Sequence, residues 1–164
     1  MPAIISFMGT DIHGFIEVRN SYIDSSEPDD DEPQLRWHPA IALDHVYNGR
    51  SYAAFGCLFG VRGRSLEPLA AQRGFPRDAS RAATRAFEWE YEDAHSPSWI
   101  SWAELAETDW DSTEAIGGPS APETPLTRRQ VVRDEDWGDV WSVMVMLAKR
   151  HGAENVRLVV WFDN

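Results

Sequence analysis

The sequence predicts an α+β fold: a small antiparallel sheet packed by three or four helices. Stretches near 12–19, 35–43 and 156–162 alternate apolar and polar residues in the two-residue period of a strand. Segments near 52–59, 80–94, 102–107 and 135–150 carry helix caps or apolar stripes at helical spacing. The chain has 164 residues, 43% of them hydrophobic and 26% charged. Those proportions suit one globular domain, which is expected to span residues 1–164.

The first strand places Ile12, Gly14, Ile16 and Val18 on one face and His13, Phe15, Glu17 and Arg19 on the other. The second carries Leu35, Trp37, Ile41 and Leu43, and Pro39 assigns it to a sheet edge. Between them the segment 22–34 holds Asp24, Glu27, Asp29, Asp30, Asp31 and Glu32 with no basic residue, which predicts a mobile acidic loop closing a long hairpin. It lacks the glycine that an acidic calcium loop requires at its sixth position. Asn48-Gly49 marks a turn, and Ser51 caps a short helix that stops at Gly60. The eighteen residues 61–78 are irregular, long enough to expect a functional loop.

Ser80 opens a helix with Ala83, Phe87, Tyr91 and Ala94 on one stripe. Residues 95–99 read as a loop. Ser101 and Glu104 then form a capping box, with Ile100 and Leu105 placed as a hydrophobic staple. A Gly/Pro-rich surface loop follows within 111–125. The last helix carries Trp137, Val140, Trp141, Met144 and Leu147 on one face and ends at Lys149, Arg150, His151 and Gly152. The final strand alternates Val156, Leu158, Val160 and Phe162 against Arg157, Val159 and Trp161. Both of its faces are mostly apolar, which predicts a central strand with helices on one side of the sheet.

The formal charge of −12 argues against sequence-independent binding to nucleic acid or to an anionic membrane. No apolar run approaches the roughly 20 residues of a membrane span. The first eight residues carry no Lys or Arg, so no secretory leader is predicted and the expected compartment is the cytoplasm. A single cysteine, Cys57, excludes an intrachain disulfide and a multi-cysteine zinc site. Within the acidic chain, residues 50–85 hold seven arginines against Glu67 and Asp78, a local +5. Arginine forks grip phosphate or carboxylate in two places, so this island points to a small anionic ligand. Arg62, Arg73 and Arg77 are the candidates for holding it, with Tyr52 or Trp99 stacking a ring. Arg81 and Arg85 are expected on a helix's outer face.

Asp11 and His13 share a strand face, His95 lies beside two hydroxyls, and Asp163 ends the last strand. Together the four would make a nitrogen/oxygen metal set or a proton-transfer site, with His13 and His95 as catalytic candidates. In a binding protein, Asp11, His13 or His95 would instead fix ligand hydroxyls. Neither Ser96 nor Ser98 occupies the strand–turn–helix elbow of a serine nucleophile.

Asp11-Ile12-His13, the Gly60-Val61-Arg62-Gly63 loop, Arg73-Gly74-Phe75-Pro76, His95-Ser96-Pro97-Ser98-Trp99 and the terminal Trp161-Phe162-Asp163-Asn164 resemble an uncharacterised family of small bacteriophage and prophage accessory proteins. The chain departs from that pattern at Pro97, where members often carry a second histidine. The resemblance implies a phage or prophage setting. By analogy with accessory proteins of this size, it suggests action against host defences, by trapping or cleaving a cyclic-nucleotide or ADP-ribose-type signal. Two readings follow. The first is a binding protein for a small phosphorylated ligand, needing no cofactor; the second is a metal-assisted phosphoesterase using a divalent ion at Asp11, His13, His95 and Asp163. Homo-oligomerisation is compatible with both.

Overall fold

The computed structural model describes residues 9–19, 37–63, 66–113 and 124–164. The acidic loop within 22–34, Leu35 and most of the Gly/Pro-rich loop lie outside the described residues.

The described chain is α+β, built on four antiparallel strands: β1 (Asp11–Arg19), β2 (Trp37–Ala42), β3 (His95–Ser101) and β4 (Val156–Asp163). They lie in the order β2-β1-β4-β3, which makes β1 and β4 the interior pair. β2 takes the edge that Pro39 requires, with a register irregularity where β1 passes from Ile16 to Glu17. β4 is central, and its residues from Val156 to Phe162 are all buried.

β1 and β4 pair Ile12 with Phe162, Gly14 with Val160 and Ile16 with Leu158. That face joins the main core with Phe55, Leu58 and Phe59 of α1 (Tyr52–Phe59) and with Trp137, Val140 and Met144 of α5 (Asp134–His151). A Cβ on Gly14 would lie 2.0 Å from the Val159 carbonyl oxygen, so only glycine allows β1 to approach β4 there. The opposite face presents His13, Phe15, Glu17, Arg157, Val159 and Trp161. It is not left open, as a one-sided arrangement of helices would require. Phe75 and Phe87 stack face to face, centroids 4.3 Å apart, and both meet the Trp161 ring edge-on. Thus α2 (Arg81–Trp89) and the loop before it cover the second face. Two apolar faces on β4 were correctly legible; the cover on the second face was not.

Two further departures concern element type. Residues 95–101 form edge strand β3 rather than a loop before the capping box. Its register shifts between His95 and Ser98, and the ladder tolerates Pro97 there because a bulge releases its missing N–H. α2 ends at Trp89, and of the expected stripe only Ala83 is buried; Tyr91 lies beyond the helix and is exposed. The capping box appears at α3 (Trp102–Glu107), with reciprocal Ser101 and Glu104 bonds. A similar box at Thr127 and Gln130 opens α4 (Arg128–Val131), a one-turn helix that sequence reading missed. Among the described residues, no helix is long and apolar enough to cross a membrane.

Candidate functional site

The second face of the sheet carries two polar assemblies, one toward each end of β1 and β4.

At the Arg19 end lies a groove of about 570 Å³, within the usual range for a small-molecule site. Its walls are Trp37 from β2 and Trp99 from β3, and its most deeply buried lining residue is Arg157 of β4. The Arg157 guanidinium carbon stands 3.9 Å from the Trp37 centroid and 6.0 Å from that of Trp99. Arg19 covers Trp37 at 4.8 Å and Arg73 covers Trp99 at 4.9 Å, so guanidinium and indole groups recur across the face. Such contacts are strongest where water is excluded.

Arg157 is 4% exposed and Glu17 is fully buried. Arg157 Nε donates to Glu17 Oε2 at 2.8 Å, and Nη1 donates to Asp78 Oδ1 at 3.0 Å. The other Glu17 oxygen accepts from the backbone N–H of Ser80, the N-cap of α2, at 2.7 Å. The third nitrogen, Nη2, is buried without a hydrogen-bond partner among the described residues. A buried charged donor without an acceptor is costly and uncommon in native proteins.

Carboxylates also line the groove: Asp78, Glu104 and Glu154. Asp78 accepts from Trp37 Nε1 and Arg157. Glu104 takes a two-pronged grip from Arg73 at 3.0 and 2.6 Å. Those charge-assisted bonds hold the Glu104 carboxyl down at about 2, opposed by burial and helped by the Ser101 N–H and hydroxyl. The groove therefore offers the Arg19 guanidinium, an Arg157 guanidinium matched by Glu17 and Asp78, and hydroxyl-accepting oxygens at its rim.

At the other end, Asp11 pairs across the ladder with Asp163, and His13 with Trp161. Like charges directly opposite on a sheet repel. Arg50 relieves this by gripping Asp11 through Nε and Nη2, which lowers the Asp11 pKa. His13 Nε2 lies 3.0 Å from Asp163 Oδ2 and 3.8 Å from Glu90 Oε2. Of the sequence-derived metal set, His95 does not join this group. It pairs with Phe162 and stacks on that ring, which puts it on the opposite face from His13. There, His95 Nε2 meets Asn164 Oδ1 at 3.2 Å, and Asn164 Oδ1 also accepts from Thr10 and Arg62. Because that oxygen can only accept, Nε2 is the protonated nitrogen, and Nδ1 faces the Ser96 hydroxyl at 3.0 Å.

The proposed ligand residues also separate. Arg62 covers Tyr52 at 5.7 Å and donates to Thr10 Oγ1, held in a left-handed backbone conformation at φ 66°. A Cβ on Gly63 would lie 2.7 Å from the Tyr52 carbonyl, so the loop needs glycine to lie this close to α1. Trp99 walls the groove, Arg73 covers its ring from outside the lining, and Arg77 is exposed. Ser98 is buried, donating to the Ala70 carbonyl. The groove cations Arg19 and Arg157 were missed because both lie outside the arginine island, in strands where one polar residue reads as a solvent-facing alternate. Arg19 lies six positions from His13 along β1, about 20 Å at strand rise, while Trp99 is level with Phe15 through Val159. The groove lining includes none of His13, Glu90 and Asp163, so the two are distinct sites. The chain matches no family model, no curated protein and no solved structure in comparisons with known proteins.

Proposed function

We propose that the protein binds a small phosphorylated ligand bearing a flat ring, in the groove between Trp37 and Trp99. The observation that carries this reading is the groove itself, about 570 Å³, walled by Trp37 and Trp99 and lined by the cations Arg19 and Arg157. Arg157 already holds two carboxylates, so the cation for a phosphate oxygen is Arg19, whose Nε donates to the neutral Asn155 amide. The ring lies against Trp99, and Asp78 or Glu154 accepts from ligand hydroxyls. Three rim carboxylates disfavour a polyanion, so the ligand class is a nucleotide with one or two phosphates rather than a nucleic acid. The resemblance to phage accessory proteins adds a role: holding a nucleotide-type immune signal away from its receptor in the bacterial cytoplasm.

Thermal unfolding in the presence of nucleoside phosphates, cyclic dinucleotides and ADP-ribose tests the reading. At a hundredfold excess over its Kd, a ligand adds about 2.7 kcal/mol, which raises Tm by about 5–10 °C for a domain of this size. Trp99→Ala and Arg19→Gln should abolish the shift, whereas Arg62→Ala, at the far end of the sheet, should retain it. A panel without any stabilising compound, or a shift lost only in Arg62→Ala, would reject the groove as the site.

A further inference from the structure

We infer that His13, Glu90 and Asp163 bind a divalent transition-metal ion, zinc being the best match. One candidate ligand atom from each residue lies within 4.8 Å of the others. Metal–ligand bonds of about 2.1 Å put neighbouring ligand atoms about 3.0–3.4 Å apart in octahedral or tetrahedral sites. His13 Nε2 and Asp163 Oδ2, hydrogen-bonded to each other at 3.0 Å, already stand at this spacing, and the His13–Glu90 separation of 3.8 Å closes with a small side-chain rotation. One imidazole with two carboxylates is a donor set for zinc or manganese, less suited to magnesium or calcium, which prefer all-oxygen shells.

A second observation lies outside the cluster. Trp161 is 1% exposed and positions two of the three ligands: its ring stacks on His13, and its Nε1 donates to Glu90 Oε2 at 2.7 Å. Buried groups that orient ligands in this way are a regular feature of metal sites. Charge points the same way. Arg50, which feels the Asp163 charge, is engaged in its two-pronged grip on Asp11. Glu90 and Asp163 therefore converge with only an imidazole between them. Each of the three side chains is about 30% exposed, leaving the outer coordination positions open to water or a ligand. Sequence reading found His13 and Asp163 but not Glu90, which α2 delivers from 73 residues away as its C-cap. The inference is independent of the groove, whose lining includes none of the three residues.

Chelator-treated protein is titrated separately with ZnCl2, MnCl2, MgCl2 and CaCl2, and bound metal is counted after gel filtration. The expected result is one equivalent of zinc and a rise in Tm. Glu90→Gln, which keeps an oxygen for Trp161 Nε1, and Asp163→Asn should each weaken uptake at least about tenfold. Glu92→Gln, an exposed neighbour, should leave it unchanged, and circular dichroism confirms folding in every variant. Uptake equal in the wild type and both ligand variants overturns the assignment. So does failure to take up zinc or manganese, or binding of magnesium or calcium alone.

Discussion

Replacing Arg157 by Met gives the sharpest test of how the second sheet face is held together. The change keeps the aliphatic stem but leaves the Glu17 carboxylate, fully buried, with only the Ser80 N–H. Removing one partner of a buried pair costs about 3–5 kcal/mol, because the remaining charge stays desolvated. The stacking on Trp37 is lost as well. Total stabilities of single domains run at about 5–15 kcal/mol, so the variant should be close to unfolding, with Tm lowered by about 6–20 °C. Glu17→Gln alone should cost less, since the amide oxygen still accepts from Ser80 and Asp78 still pairs with Arg157. The double variant should cost at least about 1 kcal/mol less than the two singles combined, because each removes the other's uncompensated charge. Urea unfolding of the four proteins measures this cycle. A cost below about 1 kcal/mol for Arg157→Met, or additivity within about 0.5 kcal/mol, would show that the pair is solvated and the argument wrong.

Three other outcomes follow from single contacts. The Glu104 carboxyl titrates at about 2 instead of the usual 4.5, chiefly through Arg73. A lowered folded pKa stabilises fully above about pH 4.5, and that stabilisation is lost as pH falls toward 2. With the Glu104 side chain 41% exposed, solvent screening reduces its worth to about 1 kcal/mol; carboxyl NMR should show the titration return toward 4.5 in Arg73→Gln. Gly14→Ala should destabilise by about 3 kcal/mol or more, read from thermal unfolding, because its Cβ meets backbone rather than a movable side chain. Cys57 is 1% exposed and burial raises its thiol pKa, so thiol reagents should label it only on unfolding, and rapid labelling of folded protein at pH 8 would contradict its burial.

What the sequence made legible was local. The Ser101–Glu104 box and the Ser51 and Ser80 caps bond within a few residues, and the basic last turn of α5 runs directly into Gly152, so spacing reveals them. β4 announces its central place through two apolar faces. β3 stayed hidden because His95, Ser96 and Pro97 interrupt any alternation, and only its pairing with β4 makes it a strand. The arginine island misled for a related reason. Counted along the chain it is positive, yet Arg50 is matched by Asp11, 39 residues away, and Arg73 by Glu104, 31 away. Folding spends those charges on pairing, and the guanidinium nitrogen left buried without a partner among the described residues belongs to Arg157, a residue of β4. Glu90 reaches His13 and Asp163 only because α2 crosses the second face, which no periodicity encodes.

The most direct measurement is a crystal structure of the protein with the phosphorylated compound that stabilises it most. The groove reading places a phosphate oxygen about 2.7–3.2 Å from a guanidinium nitrogen of Arg157 or Arg19, with the ring against Trp99. A ligand bound instead at Arg62, Tyr52 and His95, or a groove empty at saturating ligand, would contradict it.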